Sequence, residues 1–292
     1  MIRHARREDI PLLTELWEAA FGDSREDISF FLQNRFVPQD TFLFERRGRP
    51  VSMFFLLNAQ LCTAAGSFSA KYLYAACTAP AFREQGLMRR LIDYAADALT
   101  LGGSDCIALA PASEGLFDYY AGCGFHNAFF RESQQLSRQA MERAAAGGAV
   151  CAHPLVLPEL VSIRRAALKR RDHLAWDCAA LEYALAEHRR SGGRALSVRV
   201  SQEEGGYCMF HEQGGECFVQ EFLASEKAAA PLFAALLNES GARTFSLRGP
   251  VGFSPCSEQA ERRAYGMLRP LSNRAERLPQ TLQNAYLGLA LE

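Results

Sequence analysis

Apolar residues along this chain recur at helical spacing in some blocks and at strand spacing in others. Residues 2–5 read as a short strand, and 7–21 as a helix carrying Ile10, Leu13, Leu16, Trp17, Ala20 and Phe21 on one stripe. Pro11 is tolerated in that helix because it falls in the first turn. After the break at Gly22-Asp23-Ser24, residues 25–36 form a second helix with Ile28, Phe31, Leu32 and Phe36 on its apolar face. A hairpin follows at 41–45 and 51–57 around Arg47-Gly48-Arg49-Pro50, then a strand at 70–78. The strongest helix is Leu87–Leu101, with Leu87, Leu91, Ile92, Ala95, Ala98 and Leu99 on one face and Arg89, Arg90, Asp93 and Asp97 on the other. Gly102-Gly103 ends it. The wholly apolar run 106–110 fits a strand covered on both faces. Ser113 caps a helix over 114–121 that stops at Gly122 and Gly124, and strands are expected at 126–130 and 134–136.

The rest of the chain repeats this order more faintly. Helices at 157–170 and 173–190 precede strands at 195–200, 206–211 and 216–223, a helix at 226–238 and a strand at 244–247, with closing strands at 265–271 and 285–291. The pattern implies a structural duplication without detectable sequence identity: a first domain over 1–137, a linker over 138–152 and a second domain over 153–292. Each unit is expected to be α/β (α+β).

Composition narrows the function classes. The chain has 292 residues, which favours two domains, and 49% of them are apolar, enough for packed cores. With 32 Lys+Arg against 33 Asp+Glu, nothing electrostatic suggests a nucleic-acid partner. No apolar run reaches the ~18–20 residues of a membrane helix. The basic start, Met1 to Arg7, is followed by Glu8 and Asp9 rather than by an apolar segment, so a cytoplasmic protein is expected, with no membrane partner. The nine cysteines form no Cys-x-x-Cys pair and no two of the six histidines lie within four residues of each other, so reduced, packed thiols and no metal are expected.

The chemistry concentrates between Tyr72 and Ile92, where a strand passes through a short loop, Arg83-Glu84-Gln85-Gly86, directly into the strong helix. A helix start leaves N–H groups unpaired and carries partial positive charge, and a glycine there admits a phosphate close to the backbone. The loop is not a Walker motif, and its one glycine cannot form a dinucleotide fingerprint. Element order and loop together resemble the GCN5-related N-acetyltransferase (GNAT) family, whose central helix opens with Gln/Arg-x-x-Gly-x-Gly/Ala. Here Arg83-Glu84-Gln85-Gly86-Leu87-Met88 matches that run, with Met88 in place of the small residue. Downstream, Tyr120-Ala121-Gly122-Cys123-Gly124-Phe125 resembles the family's Tyr-x-x-x-Gly-Phe. The resemblance covers residues 1–137 by motif and the second half by element order only, and implies two tandem GNAT folds, each a mixed, mostly antiparallel central sheet flanked by helices.

The tandem organisation is similar to that of the enhanced-intracellular-survival acetyltransferases, with their sterol-carrier-like third domain not expected within these 292 residues. The resemblance implies acetyl-CoA as co-substrate, with its pantetheine arm on the backbone of Ala76, Cys77 and Thr78. It places the pyrophosphate on the turn through Arg83, Glu84, Gln85, Gly86, Leu87, Met88 and Arg89, with Ser113 and Glu114 as a further contacting pair. Ser225-Glu226 and the run to Pro231 offer no such turn in the second half, so a single cofactor site is expected. Tyr120 becomes the general acid, with Tyr119 the rival; Cys77 contributes its backbone rather than an acyl-cysteine. The strand over 73–77 contains no acid, so a water relay is the default base; the likeness to the enhanced-intracellular-survival enzymes implies the terminal carboxylate of Glu292 as the alternative. Trp17 and Phe31, with Phe30, either line an acceptor pocket or pack as core, and Glu26 and Asp27, with Glu18 and Asp23, either attract a cationic amine or form an ordinary surface. The implied activity is acetyl transfer to a primary amine of a small molecule or peptide; the alternative is an inactive acyl-CoA-binding or sensing protein. Self-association is a mild expectation from the superfamily. Aminoacyl transfer from tRNA fits neither the Arg-x-x-Gly turn nor the charge balance, and in mycothiol-synthase-like enzymes the second domain carries the cofactor site.

Overall fold

The computed structural model describes residues 1–148, 151–253 and 260–289. Its strands join in one thirteen-stranded, mostly antiparallel sheet flanked by helices, the mixed α/β class that the patterning implies. The first half supplies β1 (Ile2–His4), α1 (Ile10–Phe21), α2 (Arg25–Arg35), β2 (Thr41–Arg46), β3 (Arg49–Thr63), β4 (Gly66–Thr78), α3 (Leu87–Leu101), β5 (Cys106–Leu109), α4 (Glu114–Gly122) and β6 (His126–Ser137). The second supplies α5 (Arg138–Ala144), β7 (Ala152–Pro154), α6 (Leu157–Leu168), β8 (His173–Trp176), α7 (Cys178–Arg190), β9 (Arg194–Arg199), β10 (Gly205–Gln213), β11 (Glu216–Ala224), α8 (Glu226–Glu239), β12 (Thr244–Gly249), β13 (Glu261–Pro270) and α9 (Leu278–Thr281). Helices α1 and α2 share one core with the first-half strands, and α3 and α4 share another. In the second half α6 and α7 build one core, and α5 and α8 a second. Among the described residues no helix is long and apolar enough to cross a membrane.

Several elements depart from the local pattern because their partners are distant in sequence. β3 and β4 extend well beyond the expected hairpin and strand, and the far end of β3 pairs with β8, Ala59 opposite Trp176 and Cys62 opposite His173. Residues 173–190 are therefore not one helix: a strand comes first, and Asp177 then caps α7 by accepting from the Ala180 N–H at 2.7 Å. The two strands expected at 126–130 and 134–136 are the single β6. Within 138–152 lies α5, packed beside α8. Of the strand expected at 285–291, Ala285 and Tyr286 make isolated bridges to Phe129 and His173, and residues 290–291 lie outside those described.

The most consequential difference concerns β13. It lies between β5 and β6, pairing Met267 with Leu109 on one side and with Asn127 on the other, so a strand from the end of the chain completes the first half's sheet. Arg269 on β13 donates to Asp93 of α3 at 2.8 Å and to the Cys123 carbonyl at the end of α4 at 3.0 Å, tying both helices to the inserted strand. The halves also meet where Phe30 of α2 stacks on Tyr183 of α7 at 5.3 Å and Arg190 pairs with Asp27.

A buried charge network holds the last described segment. Glu221, fully buried on β11, accepts from Arg164 at 2.6 and 2.7 Å, from the Tyr286 hydroxyl at 2.8 Å and from the Tyr207 hydroxyl. Burial works against the Arg164 charge, but Glu221, Tyr207 and Tyr286 together outweigh it and keep the guanidinium protonated. Removing one member of such a pair strands the other charge in the core. Glu221→Ala is expected to lower the unfolding free energy by ~3–5 kcal/mol, read from urea denaturation; a loss below about 1 kcal/mol would show that the network is not needed.

Candidate active site

The site begins where two parallel strands part. β4 and β5 pair only from Ala70 opposite Cys106 to Tyr72 opposite Ala108, while β4 runs on to Thr78. On its other edge β4 stays with β3, but the register slips opposite Tyr74–Cys77, and Ala75 there adopts φ +50°. A left-handed alanine costs ~1–2 kcal/mol, and bulges of this kind re-aim strands beside functional sites. Beyond the bulge β4 offers backbone N–H and C=O groups to the gap rather than to β5. Cys77 and Thr78 turn their side chains away from it: Cys77 Sγ lies 4.0 Å from the Leu16 carbonyl, and Thr78 Oγ1 shares a hydrogen bond with Ser52 Oγ at 2.8 Å.

The chain then enters α3 through a turn shaped for an anion. Arg83 folds back to donate from Nε to the Thr78 carbonyl at 3.1 Å, Glu84 sits at φ +61° and Gly86 at φ +69°. Gly86 is the N-cap of α3 and no side chain caps the helix, so its first N–H groups await an acceptor. No atom lies within 4 Å of the position a Cβ on Gly86 would take. Arg83, Glu84, Gln85, Gly86 and Arg89 are exposed, Met88 is half-buried and Leu87 is anchored in the core. The Arg89 guanidinium reaches across to α4, 3.6 Å from where a Cβ on Gly122 would stand. Two further cations flank the turn without any motif to mark them: Arg90 over the Phe44 ring at 5.1 Å and Arg46 over Phe82 at 5.8 Å.

Tyr120 projects from α4 into the core between α3 and α4, its ring 5.7 Å from Phe125. Burial pushes its phenol well above the ordinary value, and Tyr119, Cys123 and Cys77 add to the shift, which places the ring within range of the β4 bulge. Its hydroxyl has no hydrogen-bond partner among the described residues, and the side chain is buried. Tyr119 points elsewhere: 40% exposed, it faces Cys123 and Arg89, and burial pushes it up to about 12. Ser113 and Glu114 are exposed at the start of α4, with Arg263 of β13 within range of Glu114.

A cleft of about 910 Å³ opens beside the bulge. Tyr74 of β4 and Tyr183 and Glu187 of α7 line its near side, and Gln220, Arg248 and His211 belong to its floor on β10, β11 and β12. Trp17 and Phe31 are buried beneath it, packed on Phe55 and Tyr74, with Trp17 Nε1 donating to Asp23 at 2.7 Å. Glu26 is exposed on the first turn of α2, and Asp27 is held by Arg190 and Ser24. Glu292 lies outside the described residues. Tyr74, Tyr183 and Glu187 escaped sequence reasoning because no motif marks them; they converge only through the packing of α7 on α2.

The second half repeats the bulge but not the opening. β11 and β12 pair in parallel from Glu216 with Thr244 to Val219 with Leu247, and the β10–β11 register slips at Gln220. Phe253 lies against Phe222 at 5.1 Å and against Gly249, while Glu132 accepts from the N–H groups of Gly252 and Phe253 at 2.9 and 3.2 Å. Gly148 presses on the Ala230 carbonyl in the first turns of α8, where a Cβ would come within 2.6 Å.

Residues 1–128 match the sequence model of the acetyltransferase (GNAT) domain. No curated protein sequence matches the chain. Among solved structures, a GCN5-related N-acetyltransferase from Anabaena variabilis is similar at TM-score 0.76 and 15% identity, over 93% of this chain and 73% of its own. Eis1 from Mycobacterium abscessus is similar at TM-score 0.69 and 11% identity, over 94% and 75%. A tandem GNAT protein from the clavulanic acid biosynthesis pathway is similar at TM-score 0.53 and 13% identity, over 93% and 99%. The first half thus carries a GNAT acetyltransferase domain, and the fold likeness extends over both halves.

Burial pushes the thiols of Cys77 and Cys106 up to about 12, from an ordinary value near 9. The thiolate is the reactive form, so both stay inert at neutral pH. At pH 8 iodoacetamide is expected to modify the exposed Cys151 and Cys178 and to spare Cys77 and Cys106 until the protein is unfolded, as read by peptide mass spectrometry. Rapid labelling of Cys77 in the native protein would restore a covalent acyl-cysteine route.

Proposed function

We propose that the protein is an acetyl-CoA-dependent N-acetyltransferase with one cofactor site, in the first half, and that its acceptor is a primary amine of a small molecule or peptide bound in the cleft. The observation that carries this reading is the uncapped, glycine-opened start of α3 standing directly beyond the point where β4 leaves β5. The residues present fit the cofactor: open space at Gly86 admits a diphosphate to the backbone, and the freed edge of β4 admits an extended arm.

When bound, acetyl-CoA supplies an activated acetyl group as a thioester. The backbone of Ala76, Cys77 and Thr78 pairs with the arm in the manner of an added strand. The N–H groups from Glu84 to Arg89 take the pyrophosphate oxygens, and Arg83 and Arg89 add charge-assisted contacts. Ser113 and Glu114 border the gap from α4. Tyr120 donates its hydroxyl proton toward the departing sulfur, and its buried phenol stays protonated throughout the neutral range.

Calorimetric titration with acetyl-CoA is expected to give micromolar affinity. Gly86→Glu, which puts bulk and negative charge into the turn, is expected to abolish that binding. Failure of the wild type to bind while folded removes the acetyltransferase reading. Tyr120→Phe is expected to lower kcat about 100-fold or more with acetyl-CoA affinity unchanged, measured by thiol release over a panel of amines. An unchanged kcat would dismiss Tyr120 as the acid and leave a packing role.

A further inference from the structure

Acyl transfer to an amine needs the amine neutral, and a free alkylamine is neutral in only about one molecule in 2,500 at pH 7. The β4 strand between Leu73 and Cys77 holds no acid to take that proton. We propose that the second half supplies the group: Glu187 of α7 receives the acceptor's ammonium in the cleft and accepts its proton. The inference rests on the acetyltransferase reading above.

Geometry leads to this residue. Glu187 and Tyr74 line the same cleft, and Tyr74 immediately precedes the bulge at Ala75, where the thioester end of the arm would lie. Burial raises the Tyr74 phenol well above its ordinary value, and Tyr183, Tyr72, Asp23 and Glu187 follow as further causes, so the carboxylate stands within electrostatic range of the Tyr74 hydroxyl. Three nearby carboxylates are committed. Glu261, which also lines the cleft, pairs with Arg263 at 2.7 Å, and that arginine holds its carboxyl below the usual range. Asp23 accepts from Trp17 at 2.7 Å, and Asp27 pairs with Arg190. Glu187 is half-buried, and its hydrogen bond comes from Ser191 of its own helix at a long 3.3 Å, which leaves it able to take a stronger donor.

The proton balance closes without another reagent. The ammonium gives one proton to Glu187 and the neutral nitrogen attacks the thioester carbonyl, forming the C–N bond. The C–S bond then breaks and the sulfur takes a proton from Tyr120. The nitrogen's second proton returns to the tyrosine oxygen, and Glu187 releases its own to solvent. The net products are the amide, the free thiol and one proton. A base held on α7 also gives the second half, whose own cofactor gap is filled, a direct part in the reaction.

The test places an ammonium in the cleft without turnover. S-(3-aminopropyl)-CoA carries a primary ammonium a few bonds beyond the sulfur, and its affinity is compared with that of CoA by calorimetry in wild type and Glu187→Gln. The variant is expected to bind CoA as the wild type does and the aminopropyl probe at least tenfold more weakly, since a charged hydrogen-bond partner is lost. Equal affinity of the probe for both proteins, with CoA bound, overturns the assignment of Glu187; no CoA binding by the wild type overturns the acetyltransferase reading itself. In turnover, Glu187→Gln is expected to lower kcat for n-propylamine about 100-fold, with the KM for acetyl-CoA unchanged. The deficit should shrink for the weakly basic 2,2,2-trifluoroethylamine, which is already neutral at the assay pH. A uniform deficit across the two amines would show a structural role and overturn the proposal.

Discussion

Everything in this molecule depends on β13 lying between β5 and β6. Without it the first half's sheet would end at β5, and β6 would have no neighbour on its β5 side. The insertion places residues from the end of the chain in the wall of the first half's site. It also fixes both helices that flank the gap between β4 and β5, because Arg269 spans from Asp93 on α3 to the carbonyl end of α4. A cation at a helix C-terminus interacts favourably with the unpaired carbonyls there. The position of Tyr120, near the end of α4, is thus set by a residue some 150 positions later in sequence. The first half is a motif-bearing unit, but not a structurally self-sufficient one.

The two halves carry the same distortion to different ends. Each has a parallel pair that separates just ahead of a bulge, at Ala75 in β4 and at Gln220 in β11. In the first half the following helix opens on an uncapped glycine with open space beside it. In the second, Phe253 occupies the corresponding region, Glu132 fixes its loop, and Gly148 closes over the first turns of α8. Glu226 in the first turn of α8 adds negative charge where a phosphate would need the opposite. The second half retains the frame and lends its surface: α7 and the floor strands form most of the cleft, and the buried Glu221 network locks the segment from Tyr286 to Gly288 beside it.

What was legible in the sequence follows from how local each feature is. The helices α1, α3 and α8 announce themselves through periodicity because each buries one stripe, and the Arg83–Gly86 turn through the glycine that its left-handed backbone favours. β8 was read as helix because His173–Trp176 gain their strand pairing from β3, more than a hundred residues earlier. The placement of β13 was hidden for the same reason: a strand's pattern states which face is buried but not which strand stands beside it. Trp17 and Phe31 left two readings open on spacing alone, and only the packing on Phe55 and Tyr74 places them in the core. Glu187 had no local signature at all, since it comes to line one cleft with Tyr74 only through the folding of the two halves together.

The environment of Tyr120 constrains what it can do in the proposed reaction. Burial moves its phenol upward, away from the pKa that would make it the best proton donor at neutral pH. A thiol near 8.5 is the stronger acid of the two, so complete transfer of the proton to a thiolate runs uphill. One pKa unit corresponds to about 1.4 kcal/mol, and even a gap of several units remains small beside the ~8–23 kcal/mol by which enzymes lower barriers. Burial provides something in exchange: the hydroxyl is protonated in essentially every molecule, its ring is fixed against Phe125, and a hydrogen bond formed away from bulk water is stronger. The phenol is therefore suited to hydrogen-bonding the sulfur as charge develops on it, with the proton following as the C–S bond breaks. Tyr119, more exposed and turned toward Arg89 and Cys123, lacks that fixed placement and has neighbours that already use its hydroxyl. The difference between two adjacent tyrosines is one of which face of α4 meets the strand, and that face is set by the anchoring of α4 to β13.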